Sequence, residues 1–137
     1  MQKNEMVIKR KVLIDGVELP GLVECSGVKS DQGVVDVPSF GRKTPLGDGV
    51  MRLEPVAVKY AIRRGTTTLS VIQNWHILKE YHDVAVIATD ASGVEFSRWL
   101  LRDCEFIGYQ EEKYDANAPT YAAFSGNITC TTEPVPL

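Results

Sequence analysis

The strongest constraint on this chain lies in its middle, where a period-2 run, a short amphipathic helix and a second period-2 run follow one another. Val56, Val58, Tyr60 and Ile62 fall on one face of an extended segment, with Ala57, Lys59, Ala61 and Arg63 on the other. Successive side chains of a strand point to opposite faces, so this pattern predicts a half-buried strand. Thr66-Thr67-Thr68 then offers an N-cap, and Val71, Ile72, Trp75 and Leu78 recur at helical spacing, which predicts a helix over 68–80. From Asp83 the period returns to two. Val84, Val86 and Ala88 predict a strand, Asp90-Ala91-Ser92-Gly93 a turn, and Val94–Tyr109 its long partner. A helix this short is marginal alone. Its apolar stripe therefore has to dock on a sheet, and Trp75 and Leu78 are expected to be buried there.

The flanking segments read as strands as well. Val12 and Ile14 alternate with Leu13, Asp15-Gly16 makes a hairpin turn, and Val17 and Leu19 continue; Asp-Gly favours the turn whose twist matches a hairpin. Pro20-Gly21 redirects the chain into Leu22–Val28, and Val34–Val37 forms another apolar stretch. From Pro38 to Pro55 the alternation dissolves into PSFGRKTPLGDGVMRLEP, whose prolines and glycines argue against a long central strand or helix. The segment 38–55 is predicted to be a long loop, and its apolar residues Phe40, Leu46, Val50, Met51 and Leu53 require burial against something. A turn is expected around Lys113–Pro119. The last strand, 120–131, alternates most cleanly: Ala122, Phe124, Gly126, Ile128 and Cys130 share one face, and Tyr121, Ala123, Ser125, Asn127, Thr129 and Thr131 the other. That second face is polar yet uncharged.

The 137 residues suit one domain, 1–137, with no repeat and no low-complexity linker. A net charge of −3 argues against a dedicated DNA binder. No apolar run approaches the ~20 residues of a membrane helix, so no membrane insertion by this chain is expected. The start, MQKNEMVIKRKVL, lacks the apolar core of a secretory signal, and folding in a cytoplasm is the expectation. Cys25, Cys104 and Cys130 are odd in number and widely spaced, which excludes the usual zinc frameworks and gives no disulfide scaffold. Cys104 and Cys130 fall in strand-like segments as small buried hydrophobes; the alternative is a thiol that cross-links subunits in an oxidising medium.

No catalytic set emerges. His76 and His82 are six apart, which on one helix separates them by about 120° and excludes the i, i+4 pair of a zinc helix. Gly47-Asp48-Gly49 lacks the Lys-Ser/Thr of a phosphate loop, and turn chemistry accounts for it. Ser26-Gly27 has no elbow motif and no base partner. Glu111, Glu112 and Asp115 read as a solvated acidic tip rather than an acid–base pair. Lys9-Arg10-Lys11 and Arg63-Arg64 are not interleaved with stacking aromatics, leaving exposed charge or subunit pairing as their roles. Asn127-Ile128-Thr129 matches a glycosylation sequon by chance. Neither enzymatic activity, cofactor nor metal is expected.

The order of elements, with VLIDGVELPGLVECSGV, VPSFGRKTPLGDGVMRLEPVAVKYAIRRG, the Trp75 helix, VIATDASGVEFSRWLLRDCEF and YDANAPTYAAFSGNITC, resembles the tail tube proteins of contractile-tailed bacteriophages. Tubes of tailocins and contractile injection systems are related. The resemblance covers nearly the whole chain. It implies a mainly β fold, an antiparallel sandwich or partly closed barrel with one flanking helix, assembling into a hexameric ring. It further implies rings stacked into a hollow tail tube inside a contractile sheath, a virion component made in the host cytoplasm. Baseplate and terminator proteins would be further partners, and double-stranded DNA would pass through without specific contact. In that frame the 38–55 loop reaches an adjacent subunit through Phe40, Leu46 and Met51 as apolar anchors, with Arg42, Lys43 and Arg52 pairing to carboxylates. Ser125, Asn127, Thr129 and Thr131 form a candidate lumen or inter-subunit face. Two alternatives stand: a type VI secretion-like tube protein delivering effectors, and a monomeric small β-barrel binding module or enzyme.

Overall fold

The computed structural model describes residues 6–39, 42–118, 120–130 and 135–136, and for 30–39, 42–52 and 135–136 the backbone alone. The strands are β1 (Lys9–Ile14), β2 (Val17–Glu18), β3 (Leu22–Cys25), β4 (Ser30–Ser39), β5 (Arg42–Leu53), β6 (Val56–Ala61), β7 (His82–Thr89), β8 (Glu95–Glu111), β9 (Ala123–Cys130) and β10 (Val135–Pro136). The helix α1 spans Thr68–Ile77. One antiparallel sheet has the order β2-β1-β7-β8-β9-β6-β3, with β10 added to β8. Its two ends lie near each other, and Ile8, Lys9 and Arg10 face Leu22, Val23 and Glu24 across a cleft rather than a ladder. The expected partly closed barrel is thus one curled, unclosed sheet instead of two packed sheets.

The predicted alternation decides what fills the sheet's inner side. Val12 and Ile14 of β1, Val84 and Val86 of β7, Leu101 and Phe106 of β8, Phe124 and Ile128 of β9, and Val56, Val58 and Tyr60 of β6 form one buried cluster with Ile72 and Trp75 of α1. Trp75 is 0% exposed, and its Nε1–H donates to the Cys104 carbonyl oxygen at 3.0 Å. The indole thereby buries its area and satisfies its polar atom. The β1–β2 hairpin turns through Asp15 (φ 50°) and Gly16 (φ 81°), the paired positive angles expected of an Asp-Gly turn. Gly126 leaves room for a ring: a Cβ there would stand 2.3 Å from Phe106.

Three expectations need correction. The helix ends at Ile77, short of residue 80, and Leu78 is 63% exposed instead of buried. Leu78 sits six residues after Ile72, about 120° around the helix from that buried position. The chain then leaves the helix at Lys79 (φ 53°) before another inward position arrives. The threonines do not cap through their side chains. Thr68 Oγ1 instead donates to the Pro20 carbonyl at 2.8 Å, pinning the helix start to the β2–β3 connection.

The third correction is the largest. The described residues of segment 38–55 are not a loop: β4 and β5 form an antiparallel ladder with register running from Ser30↔Leu53 to Ser39↔Arg42. It forms a sheet of its own, separate from the main one. Proline is excluded from central strands because it removes a ladder bond, but a two-stranded ribbon has an open edge on each strand. Pro38 and Pro45 both lie in this ladder. The register slips between Gln32↔Met51 and Val34↔Gly47, so Gly47-Asp48-Gly49 falls at a bulge, which glycine favours.

Candidate assembly surface

The hairpin is the first part of the candidate surface. Its twelve-residue strand β5 spans about 40 Å at roughly 3.3 Å per residue. That compares with a radius of gyration of about 14 Å expected for a domain of this length. Its root is fastened where it meets β6: the Glu54 amide donates to the Lys29 carbonyl at 2.9 Å, and Lys29 Nζ lies 3.3 Å from Glu54 Oε1. The predicted anchors and cations sit at defined register positions on β5: Arg42 opposite Ser39, Lys43 opposite Pro38, Leu46 opposite Val35, Met51 opposite Gln32 and Arg52 opposite Asp31. Phe40 lies outside the described residues.

The second part is the outer face of β9. Phe124, Gly126 and Ile128 are buried, while Ser125, Asn127 and Thr129 are half-buried on the opposite side. Thr131 lies outside the described residues. The β9 residues are uncharged as expected, but their ladder partners are not: Ser125 stands opposite Lys59 of β6, and Thr129 opposite Glu105 of β8. A strand read alone does not show its neighbours, so sequence periodicity missed these charges. Lys59 Nζ is held 3.3 Å from Glu112 Oε2 and lies over the Tyr121 ring at 5.6 Å. Hydrogen bonding to Glu112 pushes the Lys59 ammonium above its usual range. Glu24, Gln110 and Glu112 line the same shallow concavity as Ser125 and Asn127. Counting Glu24, Glu105 and Glu112 against Lys59, the patch carries an excess of carboxylates.

Apolar exposure marks further surface, including Leu78, which the helical stripe was expected to bury. Ile77 (68%) at the last position of α1, Leu78 (63%) and Tyr81 (57%) just beyond it, and Val94 and Phe96 around the start of β8 are exposed. Clustered exposure of this kind marks interaction sites rather than core.

The groups examined for chemistry remain scattered. His76 Nδ1 lies 2.9 Å from the Phe106 carbonyl oxygen, with its ring stacked on Tyr109. His82 sits instead in strand β7 between Asp15 and Glu80. Glu111 accepts from the Tyr109 hydroxyl at 3.0 Å within the end of β8, and Asp115 Oδ1 accepts from the Asn117 amide at 2.9 Å in the turn that follows, both local roles. Among the described residues, no three His, Cys, Asp or Glu side chains gather as a metal site. No helix among them is long and apolar enough to cross a membrane.

No family model and no curated protein matches the sequence. Solved structures do match the fold. The sheath–tube complex of an extracellular contractile injection system, PVC, in its extended state contains a chain with TM-score 0.77 at 14% identity, covering 98% of this chain and 93% of that one. The fold is that of contractile-system tube proteins. The PVC sheath/tube terminator structure gives a TM-score of 0.74 at 14% identity, over 94% of this chain and 93% of the other. Hcp1 from Salmonella typhimurium gives 0.60 at 8% identity, over 96% and 93%. The shared fold thus extends across nearly the whole chain, and two of these neighbours come from sheath–tube and sheath/tube terminator assemblies.

Proposed function

We propose that this chain is the building block of a contractile-system tube, polymerising as stacked hexameric rings around a lumen. The observation that carries the reading is the β4–β5 hairpin, whose ladder is separate from the main sheet, on a tube-protein fold. An isolated two-stranded hairpin is marginal in water, so an arm of this length needs another surface to complete it. A second copy supplies that surface. The main sheet is not closed, so its end strands β2 and β3 leave unpaired backbone groups that neighbours around a closed ring can take up. The outer face around Ser125, Asn127 and Thr129 is proposed to line the lumen, because its carboxylate excess does not grip a phosphate backbone. Sheath, terminator and baseplate proteins follow as partners of such a tube. In a virion the tube is the conduit for genome ejection from the tail.

A second reading, a tube that delivers protein effectors, is favoured by the same similarity to an extracellular injection system and by the weaker one to Hcp1. Negative-stain microscopy of the purified protein tests the shared core of both. Rings or tubes of uniform diameter are expected, and a monodisperse particle of 15.2 kDa would sink the assembly reading. Cargo separates the two: copurifying toxin-like proteins favour effector delivery, whereas a DNA-filled tail favours the virion.

A further inference from the structure

Cys104 and Cys130 stand directly opposite each other in the β8–β9 ladder. Directly opposed residues of an antiparallel pair project to the same face, with Cβ atoms about 4.5–5.5 Å apart. A disulfide requires Cβ atoms about 3.5–4.5 Å apart and Cα atoms within about 4.4–6.8 Å. The register therefore brings the two thiols to bridging range with a closure on the order of 1 Å. Cys104 is buried beneath Trp75, and its Sγ–H donates to the Leu101 carbonyl at 3.3 Å. Cys130 is half-buried at the end of β9. Cys25 is placed elsewhere: it lies opposite Val58, which lies opposite Gly126, two ladders across and four residues along from Cys130.

We propose that Cys104 and Cys130 form a dithiol–disulfide couple, a cross-strand staple that closes when the chain meets a small-molecule disulfide oxidant. Cys130 reacts first because it is the more accessible. Its thiol loses a proton to solvent, and the thiolate attacks one sulfur of the oxidant, forming a mixed disulfide and expelling one thiolate. Cys104 then rotates away from the Leu101 carbonyl, loses its proton, and attacks the Cys130 sulfur. The second small thiolate leaves. Two protein thiols are oxidised to one disulfide, and the oxidant is reduced to two thiols. Burial pushes the Cys104 thiol up to about 12, so the second step is the slow one. The staple closes the chain between residues 104 and 130, fastening the strand end beneath the Trp75 indole. This inference stands independently of tube assembly.

The test exposes the reduced, folded protein to oxidised glutathione, then denatures and alkylates it. The expected result is a fall from three alkylated thiols to one, at Cys25, with a mapped peptide linking 104 to 130 and no dimer on a non-reducing gel. Cys130→Ser, a mild change at a half-buried position, should keep both remaining thiols alkylated. Three surviving thiols, a glutathione adduct that persists on Cys130, or a linkage through Cys25 or between chains would each overturn the proposal.

Discussion

His82 shows how a single side chain can tie three parts of the fold together. Its Nδ1 meets Asp15 in the β1–β2 turn, its Nε2 lies 3.0 Å from Glu80 Oε1 after α1, and its ring stands edge-on to Trp75 at 5.3 Å. Asp15 Oδ1 also accepts the Asp83 amide at 3.0 Å, so one carboxylate binds both the ring and the strand that carries it. Partial burial lowers the imidazole's pKa, but the hydrogen bonds to Glu80 and Asp15 outweigh it and leave it raised above 6.5. A folded-state value above the unfolded one means that the protonated ring stabilises the fold. That contribution is fully present below about pH 6.5 and is lost as pH rises through the folded value. Urea midpoints should therefore fall between pH 6 and pH 8 more steeply for the parent than for His82→Gln. Equal slopes would show that the contact between Asp15, His82 and Glu80 carries no charge.

At the scale of elements, the sequence was most legible where one face is buried. Strands β6 and β9 followed period-2 alternation because their inner side chains face a single core, whereas β7 alternates only up to Val86 and is buried on both faces from there to Thr89. The helix was legible through Trp75 but not at its end, since no spacing rule announces that Lys79 takes a left-handed conformation. The β4–β5 hairpin was illegible for a physical reason. Its ladder is separate from the main sheet, with only Leu53 at its root among the described side chains packed against the core, and its open edges admit prolines that a central strand would reject. The outer-face candidates Ser125, Asn127 and Thr129 were placed correctly on β9, whereas the charges beside them required knowledge of strand pairing. The docking of α1 gives a quantitative expectation. Trp75→Ala removes a fully buried indole and leaves the Cys104 carbonyl without its donor. The expected loss is about 3–5 kcal/mol, measured by chemical denaturation. A loss under about 1 kcal/mol, the range of surface substitutions, would contradict helix docking as a source of stability.

For the whole molecule, the decisive arrangement is that the arm and the 112–122 turn attach at opposite ends of one strand. The arm hands over to β6 beside Val56 through the Lys29–Glu54 root. The other end of β6 meets the far turn, where Ala61 pairs with Ala123 and the Ile62 amide donates to the Ala122 carbonyl at 2.8 Å. An arm at one end that completes itself on a different surface of a second copy makes a heterologous contact, and such contacts propagate instead of closing a dimer. The proposed growth is expected to need the arm, and folding of the main sheet is expected not to, because the hairpin's ladder is separate from it. Deleting residues 41–50 would cut through β5, so the informative variant shortens both strands together. Excising 35–46 and rejoining Val34 to Gly47, an observed register pair, through Asn-Gly keeps the root and supplies a hairpin turn. The shortened chain should retain the parent's far-ultraviolet circular dichroism apart from the lost ladder, along with its cooperative unfolding. Sedimentation and microscopy should show that it no longer forms stacks. Should it polymerise like the parent, the arm is not the joining element, and the short edges β2 and β3 become the surfaces to alter next.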